Sequence, residues 1–232
     1  MDLVGDGNAD ERRSTRMNAD RRDGVSTFRW NGQELEYFDH SYNHTALNMR
    51  RVEIPIVRWF LGQRAEGARV LEVGNVLAHY GPVTWPVVDL REAGAINVDV
   101  MVWRPEEPVD LLISISTIEH IGFGRYAKVA GRTRPSQVLA RFRSFLAPGG
   151  QAVVTAPLGY NPRLDKQVRA GRLGADETWF MRVQDQDGRT WHECTMREAL
   201  DTSVRACAGR WSGGLVVMRV GGGTQMNADE RR

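Results

Sequence analysis

Five short apolar runs, at residues 69–73, 85–90, 99–102, 111–116 and 152–156, alternate with turn residues and helical stretches. This alternation constrains the fold more than any other feature of the chain. Short strands separated by helices cannot all pair as hairpins, so they imply a mostly parallel sheet covered on both faces. The first run, Arg69-Val70-Leu71-Glu72-Val73-Gly74, reads as a buried strand ending in a glycine turn. A dinucleotide-binding loop would continue with two more glycines, because a pyrophosphate needs close backbone approach. Here Asn75, Val76, Leu77, Ala78 and His79 follow instead. The loop therefore suits a ligand without phosphates, one that asks for a single turn glycine and free N–H groups to meet a carboxylate.

Other segments frame this unit. Residues 28–37 predict a hairpin around Asn31-Gly32. Residues 38–48 (FDHSYNHTALN) are dense in aromatic and imidazole groups, and residues 48–61 carry Val52, Ile56, Trp59 and Phe60 at helical spacing. Pro55 within that run predicts a kink or a restart. Residues 138–146 predict an amphipathic helix stopped by Pro148-Gly149-Gly150. A hairpin around Asp187-Gly188, a capping-box helix start at Thr195–Glu198 and a last strand at 214–220 complete the pattern. With 232 residues, 41% of them hydrophobic, the chain can bury one sizeable core. The expected division is a polar tail at 1–24, an N-terminal lid or helical segment at 25–64, the main domain at 65–221 and a second polar tail at 222–232. The tails share the repeated string NADERR or NADRR, too short and polar to bury anything.

Composition excludes several classes. A net charge of +2 gives no reason to expect a polyanionic partner. Two cysteines, Cys194 and Cys207, rule out a disulfide framework or cysteine-built zinc site and suit a reducing, cytoplasmic setting. No apolar stretch approaches the roughly 20 residues that span a bilayer.

The order of motifs resembles the class I S-adenosylmethionine-dependent methyltransferases. The resemblance begins with "LEVG" at 71–74, which is similar to motif I, and continues through Asp89 closing "TWPVVDL", Asp99 in "INVDVMVW", "VDLLISISTIEHIG" at 109–122 and "FLAPGGQAVVTAPLG" at 145–159. It implies a Rossmann-like, doubly wound, mostly parallel seven-stranded sheet with helices on both faces. It also implies S-adenosylmethionine as cofactor, held by Glu72, Gly74, Asn75, Asp89 on the ribose hydroxyls, Asp99 and Val100 at the adenine, and Ser116. Asn75 replaces the family's second glycine.

Methyl transfer to a hydroxyl needs in-line alignment and removal of a proton. Glu119-His120, in the loop after the fourth strand, supplies a candidate base and an orienting carboxylate. The pair also resembles the end of a Glu-x-x-Glu-His motif that holds Mg2+ or Mn2+ in some family members, with Ser116 in place of the first glutamate. Glu119, His120 and His192 are then the candidate metal ligands. His40, Tyr42, His44 and His192 are candidate acceptor contacts, and Trp30, Trp59, Trp179 and Trp191 a candidate sugar-binding rim. The expected acceptor is a small molecule or carbohydrate, by likeness to bacterial sugar O-methyltransferases, with a homodimer left open. The basic segments 125–134 and 163–172 are offset by acidic residues, and no Asn/Asp-Pro-Pro-Tyr/Phe string is present, which disfavours nucleic acid. A non-catalytic binding protein on the same fold is the competing class, supported by the degenerate glycine loop.

Overall fold

In the computed structural model, residues 26–124, 133–184, 189–201 and 213–222 are described. The expected tails up to residue 24 and from 223 onward, the Asp187-Gly188 turn, Cys207 and most of the 125–134 basic segment lie outside them.

The hairpin forms as its turn chemistry dictates. β1 (Thr27–Trp30) and β2 (Gln33–Glu36) pair antiparallel across Asn31 and Gly32, both at positive φ (48° and 72°). Two consecutive left-handed residues make a type I′ turn, whose twist matches the flanking strands.

The main sheet has seven strands: β3 (Val70–Val73), β4 (Val87–Val88), β5 (Val109–Ile115), β6 (Leu146–Leu158), β7 (Glu177–Val183), β8 (Trp191–Cys194) and β9 (Gly214–Gly221). Their spatial order is β4-β3-β5-β6-β9-β7-β8. β3 pairs parallel with β4 and β5, and β5 with β6; β9 runs antiparallel to β6 and β7, and β8 to β7. Five strands thus share one direction. The chain leaves β3 for the edge strand β4 on one side and returns to β5 on the other. The carboxyl ends of β3 and β5 therefore flank a switch point, where such sheets open a crevice.

Both faces are covered. α1 (Arg50–Gly62) lies with the β1–β2 hairpin on one face, where Val52, Ile56 and Phe60 meet Leu111, Ile113 and Ile115 of β5. α2 (Pro135–Arg143), α3 (Pro162–Arg169) and α4 (Met196–Asp201) supply Val138, Phe142, Leu164, Val168 and Ala199 to the other. β9 divides its side chains by strand alternation, with Leu215 and Val217 to the first cluster and Val216, Met218 and Val220 to the second.

Some expectations are corrected. Residues 99–102 form a turn, not a strand: Asp99 Oδ1 accepts from the Met101 N–H, and its carbonyl accepts from Val102 and Trp103. The third parallel strand shrinks to one bridge, Val88 to Ile96. α2 ends at Arg143, so Pro148-Gly149-Gly150 lies inside β6 instead of stopping a helix. α1 runs unbroken through Pro55. Proline lacks the N–H that would bond the Arg51 carbonyl, and the Phe38 N–H takes that acceptor at 3.0 Å. The helix keeps its bonding complete by tying down the segment that precedes it. The four tryptophans form no rim: Trp30 and Trp191 are buried, and Trp30 packs edge-on against Trp59 and Trp179. Among the described residues no helix is long and apolar enough to cross a membrane.

Candidate cofactor and acceptor site

Gly74 shows why the first strand must end in glycine. Its φ is +89°, and a Cβ there would lie 2.0 Å from Thr117 Oγ1. Only glycine allows the loop after β3 to close against the loop after β5. The Gly74 N–H donates to the Val88 carbonyl at 2.8 Å, joining β4 at the same point.

No α-helix follows; there is only a short 3-10 turn, Leu77–His79. Glu72, fully buried, folds this loop from behind. Its Oε1 accepts from the Val76 and Leu77 N–H groups (2.9 and 2.8 Å), and the Trp85 indole N–H reaches Oε2 at 3.3 Å. Burial raises the Glu72 pKa, opposed by these bonds. The Asn75 N–H points to Asp89 Oδ2 at 3.4 Å. The expected free N–H groups are therefore occupied: the chain's own carboxylates hold the amides of Asn75, Val76 and Leu77.

Around the carboxyl ends of β3, β4 and β5 opens a cavity of about 500 Å³. Its walls include Gly74, Asn75, Asp89, Asp99, Val100, Ser116, His120 and Tyr42. Glu72 stands behind the wall as loop support and does not line it. Asp89 Oδ1 accepts from the Arg91 and Glu92 N–H groups (2.8 and 2.9 Å), which fixes the carboxylate at the cavity edge. Asn75 Oδ1 is buried without a protein partner.

Sequence reasoning missed the contribution of α1. Arg50 lines the cavity, and its Nη1 lies 2.5 Å from Glu53 Oε2. Glu53, 0% exposed, also accepts 2.6 Å hydrogen bonds on Oε1 from the hydroxyls of Ser116 and Thr155. Ser116 is held at φ 42°, a left-handed conformation unusual for a serine. These residues are far apart in sequence, so no local spacing could reveal the cluster.

His120 lines the cavity, its ring edge-on to Tyr160 at 4.9 Å between centroids. Glu119 is 1% exposed and outside the wall; its Oε1 lies 3.6 Å from His120 Nε2, beyond hydrogen-bond reach, and its Oε2 has no protein partner. Burial, with the Glu53 charge adding to it, pushes the Glu119 pKa up to about 8. Burial therefore disfavours the charged form that an orienting carboxylate needs.

The stretch at 38–44 forms a strap over the loop after β3. Tyr42 stacks on His79 at 4.7 Å and meets Tyr80 edge-on, while Tyr80 also packs against Phe38 and His40. Tyr42 and Asn43 reach the cavity; His40 and His44 do not. His40 Nδ1 accepts from the Tyr42 N–H, and His44 is an exposed residue of the turn Tyr42–Leu47. His192 lies on β8 opposite Arg182, away from the cavity. Glu119, His120 and His192 are not brought together. Among the described residues no three His, Cys, Asp or Glu side chains group to hold a metal ion, and the expected Glu119–His120–His192 ligand set is not assembled.

No protein-family model matches the chain, and no curated protein does. Solved structures similar to it include the N-methyltransferase NodS from Bradyrhizobium japonicum with S-adenosyl-L-homocysteine, at 13% identity and a TM-score of 0.45, covering 75% of this chain and 88% of that one. A possible histamine N-methyltransferase from Thermotoga maritima is 11% identical, with a TM-score of 0.43 over 78% of this chain and 95% of that one. A methyltransferase from Thiobacillus denitrificans in complex with S-adenosyl-L-homocysteine is 15% identical, with a TM-score of 0.41 over 78% and 98%. At these values the fold assignment rests on the strand order and register of the chain itself.

Proposed function

We propose that the protein is a class I S-adenosylmethionine-dependent O-methyltransferase acting on a hydroxyl of a sugar, oligosaccharide or other small molecule. One observation carries this reading: Asp89, Asp99 and Val100 share a single cavity with Gly74, Ser116 and His120 at the switch point of the sheet. Two carboxylates can accept from ribose hydroxyls and an adenine amine, and Val88, Val98 and Val100 offer an apolar surface to the flat base. The occupied loop amides favour this cofactor over a dinucleotide. A pyrophosphate would meet the Asp89 carboxylate and amides already taken where it needs donors, whereas a sulfonium nucleoside gains from a nearby carboxylate.

In the reaction an acceptor oxygen forms a bond to the methyl carbon while the carbon–sulfur bond breaks, leaving a neutral thioether. The cofactor carries the activation, and the chain aligns the partners. His120, on the cavity wall, takes the hydroxyl proton as general base. Tyr42 and Tyr160, 47% and 49% exposed, offer aromatic faces suited to a sugar ring. Glu119 supports the loop from a buried position.

The test is turnover of S-adenosylmethionine against a panel of sugars, phenols and small acids. Methyl transfer to a hydroxyl, lost in His120→Ala, supports the reading. Cofactor binding with no transfer to any acceptor class would favour the non-catalytic alternative.

A further inference from the structure

We infer that Trp85 is a positioning residue for the cofactor loop, acting through Glu72. The inference rests on the methyltransferase reading above. Neither residue lines the cofactor cavity, so neither touches the ligand proposed for it. Trp85 stands just before β4 and opens on a separate cavity of about 990 Å³, which Val70 and Leu71 of β3 also line. Glu72 therefore sits between two cavities: its neighbour Leu71 faces one, and Val73 and Gly74 face the other.

The two oxygens of Glu72 have separate tasks. Oε1 accepts from the Val76 and Leu77 amides, which shapes the loop that carries Gly74 and Asn75 to the cavity wall. Oε2 accepts from the Trp85 indole at 3.3 Å. With Oε2 tethered, rotation of the carboxylate is stopped and Oε1 stays aimed at the two amides. An indole N–H donates and never accepts, so the same bond favours the ionised form of Glu72. Burial pulls the other way and raises the pKa, opposed by the Leu77 and Val76 amides, the Trp85 bond and the Arg50 charge. The β3–β4 ladder brings the pair together. Glu72 is in register with Val87, and its own N–H donates to the Pro86 carbonyl at 3.1 Å. The segment that places Asp89 at the cavity edge thus also carries the residue that holds the loop from behind.

Calorimetric titration of the full chain with S-adenosylhomocysteine, run as a double-mutant cycle, tests the link. Trp85→Phe keeps an aromatic ring and removes the N–H. It is expected to weaken binding by about tenfold, the lower end of what a hydrogen bond to a charged group is worth. Glu72→Gln removes the carboxylate, and in that background Trp85→Phe is expected to add about twofold or less. A pH series gives a second readout. Without the indole donor Glu72 takes up its proton at higher pH, so the acid-side fall in affinity should begin at higher pH in Trp85→Phe than in wild type. Equal losses in the two backgrounds, unchanged affinity in Trp85→Phe, or superimposable pH profiles would overturn the inference while leaving the cofactor reading intact. Wild-type protein that does not bind S-adenosylhomocysteine would overturn both. If Trp85→Phe does not fold, the benzothiophene analogue of tryptophan at position 85 replaces the N–H by sulfur and keeps the shape. The same loss is then expected, and affinity equal to wild type would contradict the inference.

Discussion

Gly74 and Thr117 meet so closely that a methyl group on the glycine would overlap the threonine hydroxyl, at 2.0 Å from Oγ1. The loops after β3 and β5 close on one another there, and both residues line the cavity. Gly74→Ala is expected to destabilise the fold by about 2–4 kcal/mol, combining left-handed strain with overpacking. Urea denaturation measures it. In a Thr117→Ala background the loss should be smaller, and an equal loss would place the cost elsewhere.

Asp89 ties the loop after β3 to its own turn and faces the cavity. Asp89→Asn keeps an oxygen for the Arg91 and Glu92 amides but removes the charge. It is expected to weaken S-adenosylhomocysteine binding by about tenfold, with little change in melting temperature. Unchanged affinity would remove Asp89 from the cofactor site.

His120→Ala should separate chemistry from binding. Losing a general base costs about 10²–10⁴-fold in turnover, while affinity for S-adenosylhomocysteine should hold. Undiminished turnover with a working acceptor would exclude His120 as the base.

Glu119 gives a pH signature. Its folded pKa stands at about 8 because burial disfavours the charged form. Between the ordinary value of 4.5 and about 8 the unfolded chain has released this proton and the folded chain retains it. The folded state then binds more protons, so this contribution to stability, full below 4.5, is lost as pH rises through that window, by on the order of a few kcal/mol. Glu119→Gln should flatten the decline, so its stability relative to wild type rises with pH. Parallel stability–pH curves for the two proteins would contradict this.

Legibility in the sequence followed the range of the interactions. The Asn31-Gly32 turn, the Thr195–Glu198 capping box and the continuous apolar run of β5 are local signals, and the structure contains each. Asp99 misled because its neighbours look strand-like, while its carboxylate bonds two residues ahead and closes a turn. The aromatic content of 38–44 was visible, but the division of labour was not. Tyr42 reaches the cavity because the strap is fastened by Phe38 to the carbonyl that Pro55 leaves open. Arg50 and Glu53 sit in an unremarkable helix pattern. Only the fold brings Glu53 to Ser116 and Thr155. The tryptophans taken for a rim show the converse, since composition alone does not separate exterior from core.

On the proposed reading, the cavity between Asp89, Asp99 and Gly74 accepts a nucleoside with a charged amino-acid arm and no phosphates. Calorimetry of the intact chain with S-adenosylmethionine and with NAD tests it most directly. Saturable binding of one S-adenosylmethionine per chain, with no response to NAD, is the predicted result; tight NAD binding, or silence with both, would contradict the account.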